Sequence, residues 1–100
     1  MRKGIMEYCI LAILANGDSY APAIIAELKR AEMIVVEGTL YPLLTRLKNA
    51  GYLTYRWEES IQGPPRKYYT LTEDGRTYLT SLDEAWDSLV EQINNIRNKH

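Results

Sequence analysis

The sequence predicts an α+β fold, with short helices ahead of a two-stranded hairpin and one long helix at the end of the chain. Within residues 37–75, a leucine stripe at helical spacing is followed closely by the alternating pattern of a strand. From residue 79 a second apolar series has coiled-coil spacing. A leucine-backed helix followed at once by a hairpin with a basic tip is typical of a winged helix-turn-helix domain.

The first predicted helix, residues 4–15, is apolar almost all round and includes Ile5, Tyr8 and Ala12. A one-sided surface helix would show a single apolar stripe, so we expect two faces of this helix to be covered. One face can pack on its own core, and the other needs a partner chain or a ligand. Cys9 lies within this surface and is most simply a small buried side chain.

The next segment predicts a turn and a second helix. The composition of residues 16–19 favours a turn, and the helix then begins at Ser19 or Tyr20. Pro22 falls in the first helical turn, where its missing N–H costs little. Residues 33–36 are rich in β-branched side chains, which predicts the small strand that edges the wing in winged helices.

The third predicted helix begins near Gly38 and ends before Gly51, which can adopt the left-handed conformation of a helix cap. Its apolar stripe faces the core and consists of Leu40, Leu43, Leu44 and Leu47. The remaining surface is polar and is formed by Thr39, Tyr41, Pro42, Thr45, Arg46, Lys48 and Asn49. These side chains offer hydroxyls and cations for phosphates or base edges, and Pro42 offers apolar surface to a thymine methyl group.

The hairpin follows directly. Leu53, Tyr55 and Trp57 alternate with polar residues, which predicts a half-buried strand. Residues 60–65 form the loop, because they contain two prolines and a glycine. The return strand opens with the adjacent cations Arg66 and Lys67. Of the two tyrosines that follow, we expect Tyr69 to be buried, in phase with Leu71, and Tyr68 to face outward.

The last predicted helix starts after Gly75 and carries an a/d series of nearly three heptads: Leu79, Leu82, Trp86, Leu89, Ile93 and Ile96. The simplest interpretation is a dimerisation arm, and the alternative is packing on the first helix of the same chain. An indole is hard to pack against its symmetry mate, so two copies of Trp86 could flank a flat cavity. Ordinary packing of Trp86 in the interface is the other interpretation.

The distribution of charge is more informative than the net charge of −1. Residues 37–72 carry five Lys/Arg against three Asp/Glu, whereas residues 73–100 carry three against six. Positive charge therefore falls on the third helix and the hairpin, where Arg46, Lys48, Arg66 and Lys67 could contact phosphates.

Several classes of function are disfavoured by the composition. Cys9 is the only cysteine and His100 the only histidine, so we expect no disulfide, metal site, cofactor or catalytic constellation. The apolar run at residues 8–15 is too short to span a bilayer, and no signal-peptide pattern follows it. We therefore expect a cytoplasmic protein that is not an enzyme and has no membrane partner.

Several motifs resemble those of the PadR family of transcriptional regulators. They are GTLYP at residues 38–42, RL at 46–47, GYL at 51–53, GPPRKYY at 63–69 and LTEDG at 71–75. The single short C-terminal helix resembles the small subfamily, which includes multidrug-sensing repressors. The chain departs from the family at Ala21 and Pro22, where members usually carry a glycine.

The resemblance implies a homodimeric repressor that binds operator DNA and is released by a planar aromatic or apolar effector. Residues 1–75 would form the DNA-binding unit, with the first helix also in the dimer interface, and residues 76–100 the dimerisation helix of the same compact unit. The expected sites are: for DNA, Tyr20, Thr39, Tyr41, Pro42, Thr45, Arg46, Lys48, Arg66, Lys67 and Tyr68; for the effector, Tyr8, Ala12 and Trp86; for the dimer, Ile5, Leu79, Leu82, Leu89, Ile93 and Ile96. The rival hypothesis is a winged helix that binds a protein partner and no DNA.

Overall fold

A computed structural model describes the backbone of residues 2–98 and the side chains of residues 4–98, so His100 lies outside the described residues. The elements follow the order α1 (Arg2–Ala15), α2 (Ala21–Arg30), α3 (Glu37–Asn49), β1 (Leu53–Glu58), β2 (Arg66–Leu71) and α4 (Glu73–Arg97). The two strands pair antiparallel, with Leu53 opposite Leu71 and Glu58 opposite Arg66. The predicted α+β winged helix with a C-terminal helix is confirmed.

The core lies where the first three helices meet the base of the hairpin. Its fully buried side chains are Ile10, Leu11, Leu14, Ile24, Leu28, Leu40 and Leu44. All four leucines of the α3 stripe are buried, as predicted from their spacing. This stripe fixes the rotation of α3 about its axis, so the polar surface of the helix faces outward.

Two helix ends adopt left-handed backbone conformations. After α3, Gly51 has φ +88° and donates its N–H to the carbonyl of Lys48, while the N–H of Tyr52 reaches the carbonyl of Leu47. This is a Schellman motif, and it confirms the predicted role of Gly51. The same pattern of bonds ends α2, although Glu32 occupies the left-handed position there with φ +62°.

The prediction of a strand at residues 33–36 is wrong. That segment is irregular, and Ile34 is 86% exposed and Val36 64% exposed. The free edge of β2 is paired instead with Ser19, which exchanges both backbone hydrogen bonds with Tyr69 at 3.2 and 2.8 Å. A β-rich sequence needs a strand edge to pair with, and Ser19 already occupies this one.

The half-buried strand predicted for β1 is only partly confirmed. Leu53 is buried, but Tyr55 is 37% exposed and Trp57 is 62% exposed. On β2, Tyr69 and Leu71 are buried as predicted. The core therefore ends near the base of the hairpin, and the tip has little to pack against.

α4 begins at Glu73, three residues before the predicted start at Arg76. The Thr72 hydroxyl accepts a hydrogen bond from the N–H of Gly75 at 3.0 Å and caps the helix. The same hydroxyl donates to the carbonyl of Gly51 at 2.6 Å, and Tyr52 stacks on Tyr78 with ring centroids 4.3 Å apart. These contacts fasten the start of α4 to the end of α3.

The apolar series along α4 serves two surfaces, which corrects the expectation of one continuous dimer seam. Leu79 is 8% exposed and belongs to the chain's own core, against which Leu82 also packs. From Trp86 onward every described residue of the helix is exposed. In the part of the chain that is described, no helix is both long and apolar enough to cross a membrane.

Gly75 makes a close approach that no other residue can reproduce. A Cβ at Gly75 would lie 2.2 Å from the carbonyl oxygen of Tyr52, and neither atom could move without shifting backbone. We expect Gly75→Ala to lower the free energy of unfolding by roughly 1–3 kcal/mol, measured by urea denaturation at one protein concentration.

Gly38→Ala is the matched control, because Gly38 also lies in a helix but has nothing within 4 Å of an added Cβ. This variant should be neutral or more stable by up to about 1 kcal/mol. Equal destabilisation of the two variants would show that the Tyr52 contact is unimportant.

Candidate nucleic-acid interface

The outward face of α3 opposes its buried leucines. Its central line consists of Gly38, Pro42, Thr45 and Asn49, spaced by three or four residues, and all four are exposed. Gly38 and Asn49 were not among the predicted site residues, although their spacing places them on this face. A narrow line of small and polar side chains lets the helix backbone approach the floor of a DNA groove closely.

The edges of this face lead to different parts of the molecule. Tyr41 and Lys48 lie on the side of the hairpin, where Tyr41 is 44% exposed and the Lys48 ammonium lies 5.7 Å from the centroid of Tyr55. Thr39 and Arg46 lie on the side of α1 and border an apolar groove of about 760 Å³. The predicted α3 residues are thus split between two edges and a centre.

Arg46 is engaged within the chain. Its Nε and Nη2 both donate to Oε2 of Glu7 on α1, at 2.8 and 2.5 Å. The Glu7 side chain is only 17% exposed, so it is less screened by water than an ordinary surface carboxylate. A cation predicted to bind DNA is therefore held by the first helix in the free protein.

The two wing cations, which are adjacent in sequence, lie on opposite faces of β2. The Arg66 guanidinium lies 4.9 Å from the centroid of Tyr20, and Tyr20 in turn lies 5.2 Å from Tyr68. The Lys67 ammonium lies 4.0 Å from the centroid of Tyr55. Aromatic faces attract cations, so both side chains are oriented before any ligand arrives. Tyr20 and Tyr68 therefore support Arg66.

Arg56, a third cation of the hairpin, is neutralised by two carboxylates of its own chain. It pairs with Asp18 and with Glu58, each at 2.5 Å. The hydrogen bond that Arg56 donates to Asp18, followed by those that it donates to Glu58, raises the pKa of this guanidinium. Among the described side chains, Lys48, Arg66 and Lys67 form no ion pair within 4.0 Å, so they carry the net positive charge of this surface.

A groove of about 620 Å³ separates the hairpin from the starts of α2 and α3. Tyr20 and Tyr41 line it on the helical side, and Trp57, Arg66 and Lys67 line it on the side of the hairpin. Trp57 was not predicted as a site residue, because an alternating strand pattern predicts burial for it. Trp57 is exposed because the hairpin extends beyond the core, and only the length of the hairpin could have indicated this.

A second cluster lies where α1 meets α4. The Tyr8 hydroxyl donates to Oδ1 of Asp83 at 2.5 Å, and its ring centroid is 6.5 Å from that of Trp86. This hydrogen bond, together with partial burial and the negative charges of Asp83 and Asp87, raises the pKa of Tyr8 to about 12. The rings are inclined by 58°, so they form two walls of an open corner. Ala12 is exposed one turn further along α1.

Cys9 lies in a partly buried contact, and the acidic side chains of residues 4–98 form no metal-binding cluster. The Cys9 thiol contacts the sulfur of Met33 at 3.6 Å, and partial burial raises its pKa, which keeps it protonated. Within residues 4–98 no group of three or more His, Cys, Asp or Glu side chains could hold a metal ion.

Comparison with known proteins agrees with this geometry. Residues 10–81 match the model of the transcriptional regulator PadR-like family. The chain is 57% identical to a PadR-like transcription factor from Bacteroides fragilis, with a TM-score of 0.87 and coverage of 96% of this chain and 93% of that one. A PadR-like transcriptional regulator from Bacillus cereus is 30% identical, with a TM-score of 0.87 and coverage of 98% and 96%.

A sequence relative gives the same result. The transcriptional regulator Rv3488 of Mycobacterium tuberculosis is 32% identical over 84 residues, which are 84% of this chain and 78% of the relative. The family match spans well over half of the chain, and these relatives are regulators, not enzymes. The chain therefore belongs to the PadR-like family of transcriptional regulators, whose members bind DNA.

Proposed function

We propose that the protein is a homodimeric repressor that binds operator DNA and releases it when a planar aromatic molecule enters a slot between the two copies of α4. The observation that carries the proposal is the uncovered apolar surface on the second half of α4. An exposed apolar surface of this kind favours association with a partner, and the heptad spacing of its residues suits the α4 of a second copy of the chain.

The uncovered surface of α4 is unusual for an isolated domain. Trp86, Leu89, Val90, Ile93 and Ile96 are between 37 and 69% exposed. Val90 was not in the predicted seam, but it lies one turn beyond Trp86 on the same side of the helix. Burying such side chains gains about 25 cal/mol per Å² of apolar surface, which favours association.

The first helix extends this surface. Ile5 is 41% exposed and lies one turn before Tyr8, and it also lines the apolar groove that borders α3. A two-fold dimer uses the same patch on both chains, so one α1 and α4 pair would face its symmetry copy. Leu79 and Leu82 stay in their own core and would support the interface from behind.

For DNA, we propose that α3 enters the major groove and the wing reaches the neighbouring minor groove. Pro42, Thr45 and Asn49 at the centre of α3 are placed to meet base edges. Lys48, Arg66 and Lys67 are placed to meet phosphates, which position the protein without reading sequence. The rival hypothesis of a module that binds only protein is disfavoured by the family membership and by these three cations.

For the effector, we propose that Trp86 and Tyr8 of each chain wall a slot at the dimer axis. The open corner between the two rings leaves the indole 47% exposed, as a stacking surface needs. A ligand shifts DNA affinity only if it favours one spacing of the two recognition helices. The slot lies between the helices that set this spacing.

The cations of α3 provide a test of the DNA interface. Glu7 holds Arg46, whereas no described carboxylate lies within 4.0 Å of the Lys48 ammonium, so Lys48→Ala should weaken binding to all duplexes and lower the salt slope by about 1. Arg46→Ala should leave the slope unchanged. The measurement is fluorescence anisotropy over a series of salt concentrations, and equal slopes for both variants would contradict this assignment.

The dimer is tested by charging its surface. Leu89→Asp places a carboxylate at the centre of the proposed interface and should give a single chain in sedimentation at micromolar concentration. Ser88→Asp is the matched control, because it adds the same charge at the preceding residue, which is rotated by about 100° away from Leu89 and is not part of the apolar series. A wild-type mass of one chain would overturn the dimer.

The slot is tested with acridine orange and calorimetry. Removing the stacking surface by Trp86→Ala should weaken dye binding at least about tenfold, whereas Trp86→Phe should keep much of it. Sedimentation of Trp86→Ala shows whether the dimer is intact. Unchanged dye affinity in an intact Trp86→Ala dimer would make Trp86 a packing residue only.

A further inference from the structure

Trp57 is a large apolar side chain that the fold leaves exposed. It sits near the end of β1, is 62% exposed, and lies opposite Lys67 in the register of the hairpin. Its ring meets Tyr55 edge-on at 6.4 Å, and the Lys67 ammonium lies 5.7 Å from its centroid. The indole therefore contacts its neighbours, is exposed over most of its surface, and lines the groove beside the hairpin.

This groove combines apolar walls with cations. The rings of Tyr20, Tyr41 and Trp57 line it together with Pro64, and Arg66 and Lys67 line it as well. A DNA strand has the matching alternation, because each apolar deoxyribose is flanked by two anionic phosphates. A free anion or an apolar peptide would match only one of these two properties.

The position of the groove also fits a DNA strand. With α3 in the major groove and the wing over the adjacent minor groove, the strand that separates the two grooves must pass between helix and wing. The groove occupies that position, between the start of α3 and the hairpin. This step rests on the docking proposed above.

We propose that this groove clamps the sugar-phosphate backbone of one DNA strand and that Trp57 packs its indole against a deoxyribose. Lys67, whose ammonium lies beside the indole, contacts a phosphate next to that sugar, and Arg66 contacts another phosphate of the same strand. Trp57 thereby adds affinity that is independent of base sequence and of salt.

The proposal predicts a particular pattern in the salt dependence of binding to a mixed-sequence duplex. An apolar contact releases no counterions, so Trp57→Ala should weaken binding by about five- to tenfold with an unchanged slope. Arg66→Ala should weaken binding and lower the slope by about 0.9. Trp57→Phe keeps an aromatic face and should lie between wild type and Trp57→Ala.

Fluorescence distinguishes a direct contact from a role in holding the loop. Acrylamide quenching is measured for wild type and Trp57→Phe, each saturated with duplex, because the difference between them isolates Trp57 from Trp86. The duplex should shield Trp57 from acrylamide. Unshielded Trp57, or a slope that falls in Trp57→Ala, would overturn the proposal, since the indole would then act by orienting the cations.

The same experiment separates this proposal from the one on which it rests. If the wild-type protein binds the duplex and Arg66→Ala lowers the slope while Trp57→Ala binds like wild type, only the role of Trp57 is overturned. If no duplex is bound at low salt, both are overturned.

Discussion

The junction around Thr72 is the constraint on which the other parts of the structure depend. Its hydroxyl caps α4 and reaches back to Gly51, and its N–H donates to the carbonyl of Tyr52 at 3.1 Å. Gly75 packs against the same carbonyl, where no side chain fits. The end of α3, the base of the hairpin and the start of α4 are therefore held together. In a dimer joined through α4, this junction would make the separation of the two α3 helices depend on the separation of the two α4 helices.

Much of the fold could be predicted because local patterns and tertiary packing agree. The leucine spacing in α3, the capping Gly51 and the burial of Tyr69 with Leu71 each required only a periodicity or a backbone preference. The failures occurred where the outcome depended on a distant partner. Residues 33–36 have strand propensity, but Ser19 already pairs with that edge of β2. Trp57 has the strand spacing of a buried residue, but it is exposed because the hairpin extends past the core.

The candidate site was harder to predict than the fold. The cations of α3 and the wing could be identified from sequence, but Arg46 meets Glu7 across 39 residues of chain, and no local pattern indicates that pairing. Arg56 is likewise neutralised by Asp18, on a loop far from it in sequence. Leu79 and Trp86 belong to one heptad series, although one is in the core and the other on the surface. Which positions of a seam face inward depends on where the body of the domain ends.

The neighbouring residues Glu7 and Tyr8 connect α1 to two different helices. The carboxylate of Glu7 accepts hydrogen bonds from Arg46 on α3, and the hydroxyl of Tyr8 donates a hydrogen bond to Asp83 on α4. A helix is stiff about its axis, so any turn of α1 at Tyr8 also turns Glu7. The two contacts therefore link the orientation of α3 and that of α4 to rotation of the same helix. Removing either contact would leave α3 or α4 without this polar link to α1.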